Sequence, residues 1–458
     1  MLKNVISVID GATGSCGKAK VVGEIATDKE INLGAAVTNC MPNAGHTFVS
    51  EKGKVTVFRN IPVSVINPKT ELFIGPGSAI DMQVFRDEYE RVSKYLGDRK
   101  IYVHEMVPLI EEKHKQYERE HVKSGSTFKG CGAVSKDKVM RDSELNFFKT
   151  YRKAIRCSNE EWLDRLYSHL DNDQEYVMLE GAQGCDLSLN HSGNYPFVTS
   201  RNVSTMQLLA DSGISSERLL QTIMVIRPFP IRISNVTKTG DVIYTGAYGT
   251  GEELTWTQVN LASMYGQYPF KGDVWCYDNH LDIRKVKKFL GHSSEMTLLQ
   301  LFGKDYRKKK ISDITLLEAL ELERLMYKGR GISEYETSFL ELGMIDSDYP
   351  PNTIIDQSEQ TSVTQMERRI FDLDINKLKR NCQLNTPSDL YLNFFQHLSY
   401  DYYEQRGNFD DFYFNRYIRN YFDWLEDKTS VEVTALGTGM KNGDRILKRK
   451  LVKEIRKD

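Results

Sequence analysis

The stretch VISVIDGATGSCGKAK, residues 5–20, runs from apolar sequence into a glycine turn and out through two lysines. Val5, Ile6, Val8 and Ile9 have the β-branched content of a buried strand, and Gly11, Gly14 and Gly17 mark the turn that ends it. A strand, a glycine turn and a following helix present backbone N–H groups and a helix N-terminus to phosphate. The turn is not a Walker A loop. Counting back from Gly17–Lys18, the first glycine position holds Ala12 and the hydroxyl position Ala19. What remains is a phosphate-cradle expectation with Lys18 and Lys20 as its cations, a plain structural turn being the alternative. At the tip stand Ser15 and Cys16, where phosphate-transfer chemistry ordinarily uses a carboxylate.

Outward from this stretch, strands and helices alternate. TELFIGPG, EYVMLEGAQG and LLQTIMVIRPFPIRI read as strands ending in glycine or proline turns. Residues 82–96 and 109–122 carry apolar residues at helical spacing. The pattern predicts an α/β fold with ligand loops at the strand ends. Residues 252–350 are charged, poor in glycine loops and read as a mainly helical insertion, which leaves 1–251 and 351–458 as the main domain. Beyond it, DLYLNFFQHL (389–398) reads as a strand, and 411–428 as a helix with Phe414, Tyr417, Tyr421 and Trp424 on one face. That face is read as core packing rather than a stacking surface. The chain closes on a strand and glycine turn, VEVTALGTGMKNGD.

Composition narrows the function classes. The 458 residues carry a net charge of −2, so no global field draws the chain to nucleic acid or to a membrane surface. No apolar run is long enough to span a bilayer, and MLKNVISVIDG reads as a strand rather than a leader. Seven cysteines without CxxC spacing argue against a disulfide framework or a zinc site and for a reducing cytoplasm.

Further loops carry candidate chemistry. NAGHT (43–47) sets His46 between glycine and threonine, with Asn43 three residues before it, a placement suited to charge stabilisation or proton donation. Residues 124–141 mix small hydroxyl residues, glycines and cations, a composition suited to an anionic ligand. Residues 180–202 set Gln183 and Thr199 beside glycines.

In order, the segments GSCGKAK, NAGHT, GSTFKGCGAVSKDKVMR, EGAQG…YPFVTSRN and VTQMERRIFD resemble those of adenylosuccinate synthetases, from residue 1 to about 250 and again from about 353 onward. The resemblance implies a largely parallel central sheet flanked by helices. It also implies a two-step ligase: a nucleoside triphosphate phosphorylates the purine 6-oxygen, and the amine of aspartate then displaces phosphate from C6. It assigns His46 to charge on O6, Lys18 to phosphate, and Ser15 and the Gly45 carbonyl to Mg2+. Ser126 and Thr127 would hold the purine 5′-phosphate, which Arg141 would reach in the partner of a homodimer. Asn43, Gln183, Thr199, Ile233, Thr364 and Arg368 would line the substrate, Arg368 helping to hold aspartate. Gly14, Cys16, Gly17, Ala19, Thr47, Gln396, Gly437 and Gly439 would join Lys18, Gly45 and His46 around the triphosphate nucleotide.

Three departures shape the expectation. The family's catalytic aspartate is Ser15 here, and its neighbouring glutamate is Cys16. A short serine leaves room for the 2-amino group of guanine beside N1, with water or Asp10 left to take the N1 proton. The family's guanine-reading aspartate is Gln396, whose one donor and one acceptor match adenine and predict ATP or dATP as phosphate donor. These two changes resemble the phage-type branch of the family, which joins aspartate to dGMP on the way to 2-aminoadenine. The family's aspartate-holding arginine is Met366, flanked by Gln365 and Glu367; the 306–310 cations are one compensating source, a solvated helix end the other reading. The rival readings are an ordinary synthetase using IMP and GTP, and an inert nucleotide-binding paralogue.

Overall fold

The structure, a computed structural model, describes residues 1–122, 126–235, 244–251, 253, 254, 256, 259, 263, 357–360 and 367–457. Thr364, Met366, the 306–310 cations and nearly all of 252–350 lie outside the described residues. The chain divides into two compact units: Met1–Glu253 with Glu359–Phe395 and Tyr402–Asp458, and Leu254–Ser358 with Gln396–Asp401.

The first unit is built on an eleven-stranded sheet. From one edge it runs Gly407–Asn408, Arg445–Leu447, Val433–Gly437, Asp389–Leu392, Leu219–Ile226, Val5–Asp10, Tyr176–Glu180, Leu33–Thr38, Glu71–Ile74, Ile101–His104, Ala154–Cys157. From Val433–Gly437 to the last strand every neighbouring pair is parallel. The Arg445–Leu447 strand returns antiparallel. All six residues of Val5–Asp10 and of Leu33–Thr38 are buried, as a parallel sheet covered on both faces requires. The expected α/β, largely parallel architecture is the one observed.

Local chemistry explains most element ends. The helix Met82–Leu96 takes the expected span; the Asp81 carboxylate accepts from the N–H groups of Gln83 and Val84, and Gly97 follows with φ 56°. The next helix covers Glu112–His121 and not the full 109–122: Leu109 forms a parallel bridge with Ile80, and the N–H groups of Leu109 and Ile110 donate to the carbonyls of Asn146 and Ile80. The strand expected over 389–398 stops at Leu392. Phe394 turns left-handed, with φ 56°, and Phe395–His397 forms a 3-10 turn. The last long helix starts at Arg416, capped by Asn415, so Phe414 precedes it. Phe414 is nevertheless buried among Phe395, Tyr402, Phe409 and Phe422, and Tyr421 is buried too, so the core reading holds at those two positions; Trp424 is half-buried, and the side chain of Tyr417 lies outside the described residues. No helix among the described residues is long and apolar enough to cross a membrane.

Candidate active site

Parallel strands deliver their carboxyl ends to one edge, and here the registers line them up. Asp10 is level with Val225, Leu392 with Ile226, and Glu180 with both Val8 and Thr38. The next residues out are the glycine turn after Asp10, Arg227, Asn393, the EGAQG turn and the chain leading into NAGHT. Motifs scattered through the sequence therefore converge at one place, on five adjacent strands.

Asp10 organises the turn. Its carboxylate is fully buried and accepts from the N–H groups of Ala12 (3.0 Å), Gly14 (3.1 Å) and Cys16 (2.9 Å) and from Lys18 Nζ (3.2 Å). Of the turn amides expected to face phosphate, three face inward to Asp10. Among the described residues, the donors left for an anion are the turn amides of Thr13, Ser15 and Gly17 and those of the first turn of the helix Lys18–Thr27, which begins after Gly17 (φ 87°) with no side-chain cap. Asp10 is equally unsuited to take the N1 proton, being buried and committed to four donors.

The two lysines part company. Lys18 Nζ also donates to the Gln183 carbonyl (2.8 Å), which ties the glycine turn to EGAQG, where Gln183 itself has φ 62°. Lys20 is no phosphate cation. It is buried against Glu24 (2.8 Å), the Tyr391 hydroxyl (3.0 Å) and the Asp444 carbonyl (2.8 Å).

Asn393 locks the back of the turn. Its amide donates to the Cys16 carbonyl (2.9 Å), and a side chain at Gly17 or Gly437 would collide with it, so both positions require glycine. The Cys16 thiol is buried, and burial followed by the Asp10 charge pushes its pKa well up, so it holds its proton. Ser15, by contrast, is exposed at the tip with φ 58°, and its carbonyl accepts from Arg227 (3.1 Å).

His46 opens the strand His46–Val49 and is partly covered, its Nε2 3.8 Å from Cys40 Sγ. Desolvation first, then Lys18 and Arg59, push its pKa down to about 3, so the imidazole is neutral. Arg59 props the NAGHT turn by donating to the carbonyls of Pro42 (3.1 Å) and Ala44 (3.2 Å). Gly45 and Thr47 are exposed and Asn43 is half-buried. Ser126 and Thr127 are half-buried, with Ser126 Oγ accepting from the Phe128 N–H (3.1 Å). Thr199 is held by its N–H to the Leu187 carbonyl (2.8 Å), and Ile233 is exposed just after the strand Ile231–Arg232. Arg141, with φ 58°, is exposed directly after Val139 and Met140, which are also exposed. Arg368 is largely covered beside Glu359. Gly437 ends its strand, with Gly439 two residues on. Gln396 lies in the second compact unit, buried, with Oε1 lacking a hydrogen-bond partner among the described residues.

The family model described as adenylosuccinate synthetase matches residues 8–146 and 141–240, about half of the chain. The chain belongs to the adenylosuccinate synthetase family. It is similar to the N6-succino-2-amino-2′-deoxyadenylate synthase of Vibrio phage phiVC8, 34% identical over 271 residues, 56% of this chain and 74% of that one. It is also similar to the adenylosuccinate synthetase of Pyrococcus horikoshii, 33% identical over 233 residues; that match covers 50% of this chain and 66% of the archaeal one. Among solved structures, the succinoaminodeoxyadenylate synthetase (PurZ) of cyanophage S-2L, bound to dGMP and to dATP as an energy donor, superposes with a TM-score of 0.65. That pair is 21% identical and is covered over 98% of this chain and 97% of the other. The Plasmodium falciparum adenylosuccinate synthetase follows at 0.61 and 14%, covering 97% and 100%. These two establish the fold. The relatives are synthetases, so as a member of this family the chain is a nucleotide-binding ligase of the C–N type.

The motif reading did not find Arg227, Asn393 or Glu359. The first two carried one available signal, a polar residue immediately after a buried strand. Glu359 carried none. As for a metal, no cluster of three or more His, Cys, Asp or Glu side chains among the described residues is placed to hold one. The expected Mg2+ donors, Ser15 and Gly45, offer neutral oxygens. That set suits an ion carried mainly on phosphate oxygens, as Mg2+ commonly is.

Proposed function

We propose that the chain joins L-aspartate to C6 of a guanine nucleotide, dGMP or GMP, at the expense of ATP or dATP, yielding a 2-aminoadenylosuccinate. In the first step the γ-phosphoryl group passes to O6 as the N1 proton leaves, giving ADP (dADP from dATP) and a 6-phosphoryl purine. In the second, the aspartate amine attacks C6, the C6–O bond breaks, inorganic phosphate departs and the amine loses a proton. The observation that carries this reading is Ser15, exposed at the apex of the glycine turn. A carboxylate there would crowd a 2-amino group, whereas a serine hydroxyl leaves space and accepts a hydrogen bond from it. The dGMP and dATP bound in the cyanophage protein support the same choice of substrates.

Each residue then has a task. Neutral His46 donates a ring N–H toward O6, where charge develops. Lys18 and the uncapped helix start hold the transferring phosphate. With Asp10 sealed, the N1 proton leaves to water at the exposed apex. Mg2+, when bound, would offset phosphate charge between the Ser15 hydroxyl and the Gly45 carbonyl. Gln396 would read adenine of the donor. Ser126 and Thr127 would hold the acceptor's 5′-phosphate, and Arg141, flanked by exposed Val139 and Met140, would reach the partner's site in a homodimer.

Purine monophosphates (dGMP, GMP, dIMP, IMP) crossed with ATP, dATP and GTP and with several amino acids, scored by phosphate release and by product mass, test the proposal. Turnover with a guanine acceptor, an adenine donor and aspartate is expected. Preference for IMP with GTP, or nucleotide binding without any turnover, overturns it.

A further inference from the structure

Arg227 is the most deeply buried cation near the glycine turn. It follows the strand Leu219–Ile226, is fully buried, and lies with its guanidinium 4.1 Å over the Phe394 ring. Nη1 donates to the Ser15 carbonyl (3.1 Å) and to Glu359 Oε2 (3.2 Å), and Nη2 to Glu359 Oε1, a bidentate fork on one carboxylate. Nε is buried and has no acceptor among the described residues. Arg368 approaches the same carboxylate, its Nε 3.8 Å from Glu359 Oε2, and its N–H donates to the Glu359 carbonyl (2.8 Å). Glu359 thus stands between two guanidiniums, one of which also grips the apex of the phosphate turn.

The accessibilities give this trio a direction. The Glu359 side chain is 20% exposed, that of Arg368 14% and that of Arg227 0%. The carboxylate position is therefore the one that solvent reaches, and the deepest charge sits behind it. A buried guanidinium demands an anion, but nothing in its chemistry fixes whose anion it is. The amine donor must bring a carboxylate close to the turn whose apex Arg227 holds, and the arginine the family uses for it is Met366 here.

We propose that Arg227 and Arg368 together receive a carboxylate of the amine donor, and that Glu359 fills this clamp with its own carboxylate until the donor displaces it. This rests on the reading that the chain condenses an amino acid with a purine nucleotide. It gives the missing arginine a replacement and assigns Arg227 a specificity role. Binding of the donor frees Glu359, so donor affinity carries the cost of opening the clamp.

The test is calorimetric binding of L-aspartate and of succinate, which has the carboxylates without the amine, to the full chain in the presence of dGMP. Steady-state turnover and a melting curve are recorded beside it. Glu359→Gln keeps an acceptor for Arg227 while removing the competing charge. If Glu359 fills the clamp about nine-tenths of the time, this variant binds aspartate roughly tenfold more tightly. The KM values for both nucleotides stay unchanged. Arg368→Gln weakens aspartate and succinate about tenfold or more, again without touching the nucleotides. Unchanged or weaker aspartate binding by Glu359→Gln makes Glu359 a structural counterion and overturns the clamp, whatever the melting curve does. Tighter binding without turnover in either protein keeps the clamp and overturns the ligase reading. Turnover with no change in aspartate affinity keeps the ligase reading and overturns the clamp.

Discussion

The base and the apex of one short turn behave as different materials. At the base, Asp10, Cys16 and Lys18 are buried, and Asp10 alone accepts four hydrogen bonds. At the apex, Ser15 is exposed and is held from behind by its backbone carbonyl. A substitution at the base disturbs a network that the fold needs. At the apex it alters what a ligand meets and leaves the fold alone. Of the two departures from the family's sequence in this turn, Cys16 is buried at the base and Ser15 stands exposed at the apex, where a change costs the fold least.

The strongest way to break this contrast is Asp10→Ala. It strands three backbone N–H groups and removes the counterion of Lys18. A loss of about 3–5 kcal/mol in unfolding free energy is expected, read from urea denaturation. A loss within the ordinary range for surface substitutions, about 0.5 kcal/mol, would show the base to be no more rigid than the apex.

Next comes the pair of lysines. Lys18→Met should lower turnover by about 10²-fold, the usual scale for a lost charge-stabilising donor, and also cost about 3 kcal/mol of stability, because it leaves the buried Asp10 carboxylate without its counterion. Lys20→Met should cost stability alone: it empties a buried network of Glu24, Tyr391 and Asp444, about 3 kcal/mol, and leaves turnover near wild type. Equal effects on activity and stability in both variants would dissolve the distinction.

Ser15→Asp sharpens the apex. It should lower kcat/KM for dGMP about tenfold more than for IMP, since only the former carries a 2-amino group beside N1. Stability should shift by no more than about 0.5 kcal/mol. Equal losses on both acceptors would remove the steric explanation.

The same contrast explains what the sequence could reveal. Strand, turn and helix around residue 10 follow from apolar runs and glycines, and parallel strands bring their end loops together whatever those loops contain. The fates of Lys18 and Lys20 do not follow from a motif. They lie two residues apart on one helix, so their side chains leave about 200° apart, one toward the turn and one into the core. Nor did the pattern reveal that the turn amides close on Asp10, because a carboxylate at a strand end and a bound phosphate satisfy the same donors. Glu359 was illegible for another reason: its partner Arg227 lies 132 residues away, and the pairing exists only in the fold.

The smallest expected effect concerns whether the base sets the charge of its neighbour. His46 ordinarily titrates near 6.5, and here desolvation, Lys18 and Arg59 bring it down to about 3. Between those values the unfolded chain holds a proton that the folded chain does not. The His46 contribution to stability is therefore complete above about pH 6.5 and is lost as the pH falls toward 3. Glu180 runs the opposite way: burial raises its pKa from 4.5 to about 7, so its contribution is present below 4.5 and lost as the pH rises through 7. Wild-type stability mixes the two, and only a difference curve separates them. Urea midpoints of His46→Gln and wild type between pH 7.5 and 4 should draw apart in favour of the variant as the pH falls, because glutamine has no proton to take up. A separation independent of pH would mean that His46 titrates alike in the folded and unfolded chains. In a Lys18→Met background the His46 pKa should rise, since one of the cations holding it down is gone, and the difference curve should flatten. If it keeps its full slope, the base does not reach His46 at all, and the neutrality of the imidazole rests on desolvation and Arg59 alone.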